Sequence, residues 1–152
     1  MAALTVSYDA QQKEGKLIAY PVAAATTVFK GGLLTISGAT GYVHPGADAA
    51  GAVFVGVAYE DALNVSDSDI DEDDQTGVYL GPAGALNVRV IKTGTFVYKR
   101  VAAVLSDIGK VAFLVDDNTV STAATTNSIA CGVVVAVPDT AHVTVRIDTK
   151  VN

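Results

Sequence analysis

Apolar and polar residues alternate with a period of two along much of this chain, and no stretch sustains the 3.6-residue period of an amphipathic helix. In Leu86-Asn87-Val88-Arg89-Val90 the Leu and both Val fall on one side, with Asn87 and Arg89 on the other. His142-Val143-Thr144-Val145-Arg146-Ile147 repeats the pattern, with Val143, Val145 and Ile147 facing a core and His142, Thr144 and Arg146 facing out. Two unbroken apolar runs, 53–58 and 129–135, read as strands covered on both faces. Further strands are expected at 17–20, 33–36, 77–80, 94–98 and 111–115. The connections carry turn chemistry: Gly31-Gly32, Gly38, Gly41, Pro45-Gly46, Gly81-Pro82, Gly84, Asp116-Asp117-Asn118 and Pro138-Asp139. One short helical turn at 101–107 is the only helix the pattern offers. Many short strands with such turns indicate an all-β fold, a single compact β-barrel or β-tulip-like sandwich.

The pattern also echoes itself. Phe29-Lys30-Gly31-Gly32-Leu33-Leu34-Thr35-Ile36 leads through a polar loop to Val53-Phe54-Val55-Gly56-Val57-Ala58, and Ile108-Gly109-Lys110-Val111-Ala112-Phe113-Leu114-Val115 leads to Ile129-Ala130-Cys131-Gly132-Val133-Val134. Gly32 to Gly109 is a spacing of 77 and Gly56 to Gly132 one of 76. The expected organisation is an N-terminal arm at 1–16 and one β-domain at 17–152, built from related halves at about 17–75 and 90–150. Chance likeness between Gly- and Val-rich strands is the competing explanation.

Composition agrees with strands. Half of the 152 residues are hydrophobic, Trp is absent, and 14 are glycine. A chain of this length buries roughly 70% of its unfolded surface, so a core needs no disulfide or metal. Cys131, the only cysteine, has no intrachain partner and reads as a small buried residue. No run of 18 apolar residues and no secretory leader is visible, so no membrane partner is expected and synthesis in the cytoplasm is.

Charge changes the picture at one place. The net charge is −6, and Glu60, Asp61, Asp67, Asp69, Asp71, Glu72, Asp73 and Asp74 put eight acids into 60–74 with no Lys or Arg. The other eight acids face ten bases. Without a clustered basic face, nucleic-acid binding is disfavoured. Alternating Asp67, Asp69, Asp71 and Asp73 resemble the opening of a Ca²⁺ loop, since hard cations prefer carboxylate oxygens. The match then fails: Glu72 stands where the loop needs Gly, and Val78 where it needs Glu. These four aspartates are the only metal candidates, set against a solvated loop that keeps the surface soluble.

Candidate chemistry is sparse. His44 and His142 are the only histidines, and neither sits in a metal or hydrolase motif. No phosphate-binding glycine loop is present. The chain therefore reads as a non-enzyme with no catalytic residues and no cofactor. Leu4-Thr5-Val6-Ser7-Tyr8 is a short alternating piece ahead of a polar stretch, either a frayed end or an arm that adds a strand to a neighbour's sheet edge.

Val28-Phe29-Lys30-Gly31-Gly32-Leu33-Leu34, Gly41-Tyr42-Val43, Val53-Phe54-Val55-Gly56-Val57-Ala58, the stretch 107–122 and Gly132-Val133-Val134 resemble the capsid cement (head decoration) proteins of tailed phages. The resemblance runs over roughly 17–150 as a pattern of strands and glycine turns. It implies a small β-barrel or β-tulip protein that forms homotrimers on the outer surface of the assembled head. There it would clamp adjacent major capsid protein subunits after expansion, with residues 4–8 as the capsid-contact candidates. A virion location on the outer capsid surface follows. Two other readings stay open: a head-fibre base or tail-tube component, and a carbohydrate- or Ca²⁺-binding β-module using Tyr42, Tyr59, Tyr79 or Tyr98.

Overall fold

The computed structural model describes residues 15–64 and 81–148. Among them the chain forms twelve strands: β1 (Leu17–Pro21), β2 (Thr26–Val28), β3 (Leu33–Ser37), β4 (Val43–Pro45), β5 (Ala52–Ala58), β6 (Ala62–Asn64), β7 (Asn87–Ile91), β8 (Thr93–Lys99), β9 (Val111–Leu114), β10 (Val120–Ser121), β11 (Ala130–Asp139) and β12 (His142–Asp148). The helical turn expected at 101–107 is a single 3-10 turn, Leu105–Asp107. The expected strand at 77–80 and the arm residues Leu4, Thr5, Val6, Ser7 and Tyr8 lie outside the described residues.

Two five-stranded antiparallel sheets and a two-stranded pair, β2 with β6, make an all-β, sandwich-like body. It is not a closed barrel. In the first sheet, ordered β4-β3-β5-β7-β1, the edge strands approach through one bridge, Val22 to Val43. In the second, ordered β10-β9-β11-β12-β8, a single bridge from Lys99 to Thr119 does the same. So few bonds cannot close either sheet, because each strand end leaves the ladder after one pair.

The two orders are the same order. Strands β4, β3, β5, β7 and β1 occupy the places that β10, β9, β11, β12 and β8 occupy in the second sheet. The register agrees residue by residue. Val57 faces Leu33 and Ile91, while Val133 faces Val111 and Arg146. Both central strands are irregular at the same place, beside Val55 in β5 and beside Cys131 in β11, and β11 shifts register again toward its end against β12. Gly31 and Gly109 match, one residue away from the Gly32–Gly109 pairing read from spacing. Both adopt positive φ, 84° and 88°, where a side chain is strained. Both also donate to the central strand: Gly31 N–H to Ala58 O at 2.9 Å, and Gly109 N–H to Val134 O at 2.8 Å. The Gly56–Gly132 match holds as read. A Cβ on Gly56 would lie 2.3 Å from Ile91 O, and one on Gly132 would lie 2.3 Å from Arg146 O. Neighbouring backbone approaches both positions too closely for any side chain. The boundary differs from the expected one: β7, ending at Ile91, belongs to the first sheet, and the second begins at Thr93.

Each sheet has its own core. Val22, Val28, Leu34, Val43, Val55, Ala58, Ala62, Val88 and Val90 form the first. Tyr98, Ala103, Ala112, Leu114, Val120, Cys131, Val134, Val143, Val145 and Ile147 form the second, and Leu33 and Val57 of the first sheet join it. Full burial of each Val or Leu contributes about 1.5–3 kcal/mol, so these shared residues hold the halves together. Hydrogen bonds add to the seam: Leu33 N–H donates to Asp117 O at 2.7 Å, and Asn127 N–H to the Asp48 side-chain Oδ1 at 3.0 Å. One expectation fails here. The run 129–135 is not covered on both faces, because Val133 and Val135 point outward and are exposed. In the run 53–58, by contrast, residues 55–58 are all buried.

Candidate functional site

The candidate residues separate into those tied into the body and those outside the described region. Asp67, Asp69, Asp71 and Asp73, the aspartates of the acidic run, lie outside it. The first two acids of that run are anchored. Glu60 accepts Arg89 Nε at 2.9 Å and Arg89 Nη2 at 2.5 Å, and the Arg89 guanidinium also sits 4.7 Å over the Tyr59 ring. The Arg89 hydrogen bond holds the Glu60 carboxyl below its ordinary range. Asp61 Oδ1 accepts the Lys30 backbone N–H at 2.6 Å. Among the described residues, no group of three His, Cys, Asp or Glu side chains is placed to hold a metal ion.

His44 lies in β4 opposite Thr35. His142 Nδ1 stands 2.9 Å from both carboxylate oxygens of Asp139 at the β11–β12 turn. The Ala141 N–H, and after it His142, hold the Asp139 carboxyl low. This contact staples a two-residue hairpin. Cys131 is buried, its thiol donates weakly to Ala112 O at 3.3 Å, and burial pushes its pKa up to about 12. A thiol so protonated is a poor nucleophile at neutral pH. Of the tyrosines weighed for sugar stacking, Tyr79 is outside the described residues and Tyr42 is half-buried beside Gly84. Tyr98 is core, its hydroxyl donating to Gly31 O at 3.0 Å. Tyr59 alone is exposed, and Arg89 covers a face of its ring.

Asp107 is the polar residue that the sequence reading missed. Its side chain is wholly buried beneath the 3-10 turn. It accepts from Val104 N–H at 3.1 Å, Lys110 Nζ at 3.0 Å, Arg100 Nη2 at 3.4 Å and Thr122 Oγ1 at 3.2 Å. The Val104 N–H, followed by Lys110, holds its carboxyl below the usual aspartate range. With its lone pairs so engaged, Asp107 has no capacity left to take a proton from a substrate, and it serves as an internal clamp. Arg100 and Lys110 flanking a lone Asp were the sequence signal, but the cluster is completed by Thr122, just past β10.

Two surface features remain. An open cleft of about 400 Å³ lies where the halves meet, lined by Phe29, Lys30, Tyr98, Lys99, Asp117 and His142. Its charges are of both signs, which selects no particular ligand. The other feature is apolar: Val111, Val133 and Val135 on the outer face of the second sheet, with Leu105 and Ile108 of the adjoining turn, are all exposed. Clustered exposed side chains of this size mark contact surfaces more often than chemistry. No protein-family model, no curated protein and no solved structure matches this chain.

Proposed function

We propose that this chain is a structural part of a tailed-phage virion, a cement protein that binds the outer surface of the assembled head and ties adjacent major capsid subunits together. The observation that carries the reading is where the resembling residues fall. Val28–Leu34 with Val53–Ala58, and the stretch 107–122 with Gly132–Val134, occupy β3–β5 and β9–β11, the matching centres of the two sheets. An all-β body with two cores and a bonded seam has the stiffness a clamp needs. A ligand that binds only the expanded lattice stabilises it by mass action, and several contacts per clamp must break before the shell ruptures. The chain would act as a homotrimer, with residues 4–8 reaching the capsid.

The test is co-sedimentation of the purified protein with expanded, undecorated heads, using unexpanded heads as the control. Saturable pelleting with expanded heads alone is expected. Equal pelleting with both, or with neither, refutes the reading.

A further inference from the structure

Charge alone selects no ligand for the cleft where the halves meet, but the kinds of groups gathered in it do. The first half contributes Phe29 and Lys30. The second contributes Val97 and Lys99 of β8, with Asp117 and Asn118 of the β9–β10 turn. Phe29 is 61% exposed and Val97 is 58% exposed, so each half leaves an apolar side chain standing in solvent at the cleft. The cores do not need either one: Val28 and Tyr98, their neighbours in the chain, fill those places. A ring left in water forgoes the stabilisation that burial would give, and a ligand laid over it recovers that.

The polar groups beside the ring are of both kinds and are unengaged. Among the described residues, the Lys30 and Lys99 ammonium groups and the Asp117 carboxylate pair neither with one another nor with any other group. Their backbones are fixed all the same. Lys30 N–H donates to Asp61 Oδ1 at 2.6 Å, Lys99 N–H to Asn118 O at 3.0 Å, and Asn118 N–H to Asp116 Oδ1 at 2.9 Å. Leu33 N–H donates to Asp117 O, and the Tyr98 hydroxyl to Gly31 O at 3.0 Å, which ties the two walls together. Binding here would order only side-chain ends, so little is lost to rearrangement.

A matching ligand has one apolar face and a rim that both donates and accepts. A small anion would suit the lysines but oppose Asp117 and leave Phe29 bare. A cation would meet two ammonium groups, and a wholly apolar ligand would strand three charges. A pyranose ring meets every group: its C–H face stacks on an aromatic ring, and its hydroxyls donate to a carboxylate and accept from ammonium and amide N–H groups. The volume of about 400 Å³ lies within the range of small-ligand sites, about 300–1,000 Å³. We propose that this cleft binds the terminal sugar of a neutral glycan, with Phe29 as the stacking platform, Asp117 as the acceptor, and Lys30, Lys99 and Asn118 as donors. None of the tyrosines weighed for sugar stacking supplies the platform. The proposal stands or falls apart from the capsid reading, since it concerns a ligand of the free chain.

Titration of the isotope-labelled full chain, followed by two-dimensional ¹⁵N–¹H correlation spectra, tests it. The probes are the methyl glycosides of glucose, galactose, mannose, rhamnose and N-acetylglucosamine, with N-acetylneuraminic acid as the anionic control. At least one neutral glycoside is expected to shift the Gly31, Gly32 and Asn118 amide signals saturably at millimolar concentration. Phe29→Ala, at a side chain outside both cores, is expected to weaken that binding about 10-fold, and Phe29→Trp to preserve it. Asp117→Ala is expected to weaken it about 10-fold, whereas Lys30→Gln and Lys99→Gln, which keep a donor, change it by less than about 3-fold. The proposal is overturned if no neutral glycoside moves these signals, or if binding survives Phe29→Ala unchanged. It is equally overturned if only N-acetylneuraminic acid binds and the glutamine variants abolish that binding, which would make the cleft an anion site.

Discussion

Residues 26–30 and 104–108 occupy matching places in the two halves, yet the chain secures them by different means. In the first half the segment is extended as β2 and pairs with β6, Thr26 to Asn64 and Val28 to Ala62. Asn64 then reaches inward, its Nδ2 donating to Ala23 O at 2.8 Å. In the second half the segment tightens into a 3-10 turn over the buried Asp107, and at the place where Phe29 stands largely in solvent a carboxylate lies in the core. The connections explain the choice. Residues 59–86 join β5 to β7 and supply β6, whereas β11 and β12 are joined by Thr140-Ala141 alone. With no extra strand available, the second half satisfies its loop backbone with a charge held by Arg100, Lys110 and Thr122. A single strand frame thus accepts either a backbone ladder or an ionic clamp, and only the half with the long connection can use the ladder.

The comparison breaks first at the glycines. If the sheets are equivalent, Gly56→Ala and Gly132→Ala should each cost about 3 kcal/mol or more, because in both a Cβ meets a backbone oxygen that cannot move alone. Gly56 should suffer more, since its φ of 140° adds backbone strain. Urea denaturation of the two variants measures this; a cheap substitution at either site would mean the strand crossing is not shared.

The clamp is sharpened by pH. Asp107 is held below the ordinary aspartate range, so its stabilising effect is fully present above that range and is lost as pH falls through its native value. Asp107→Asn should lower the urea midpoint at pH 7 and reduce the further decline between pH 5 and pH 2. An acid limb as steep as the parent's would place the responsible carboxyl elsewhere. The smallest effect is expected where the halves differ only in which small apolar side chain fills the core. Cys131 matches Val55, so Cys131→Val should change stability by less than about 1 kcal/mol. In the parent, with the thiol pKa near 12, on the order of one thiol in ten thousand is ionised at pH 8, and a disulfide reagent should label it only after unfolding.

Much of this frame was legible in the residues. Long strands with clean alternation, such as His142–Asp148, and apolar runs such as Ala52–Ala58 fall where the pattern places them. The strands that escaped notice are β2, β4, β6 and β10, each of two or three residues, too short to show a period of two. The exposure of Val133 and Val135 escaped for another reason. An apolar run on a strand signals burial on both faces, but not whether a neighbouring half, another chain or solvent supplies the second cover. The one-residue slip at Gly31 arose because adjacent glycines look alike in sequence, and only φ separates them. Asp107 was hidden because its partners come from three separate segments. The acidic run was plain in the sequence, and its first two members proved to be anchored by Arg89 and by the Lys30 amide.

We propose that this strand-built body works by contact on the outside of a phage shell. A cryo-electron reconstruction of expanded, undecorated heads incubated with the purified chain tests it most directly. Added density is expected on the exterior surface, bridging neighbouring capsid subunits. An exterior indistinguishable from that of untreated heads would contradict it.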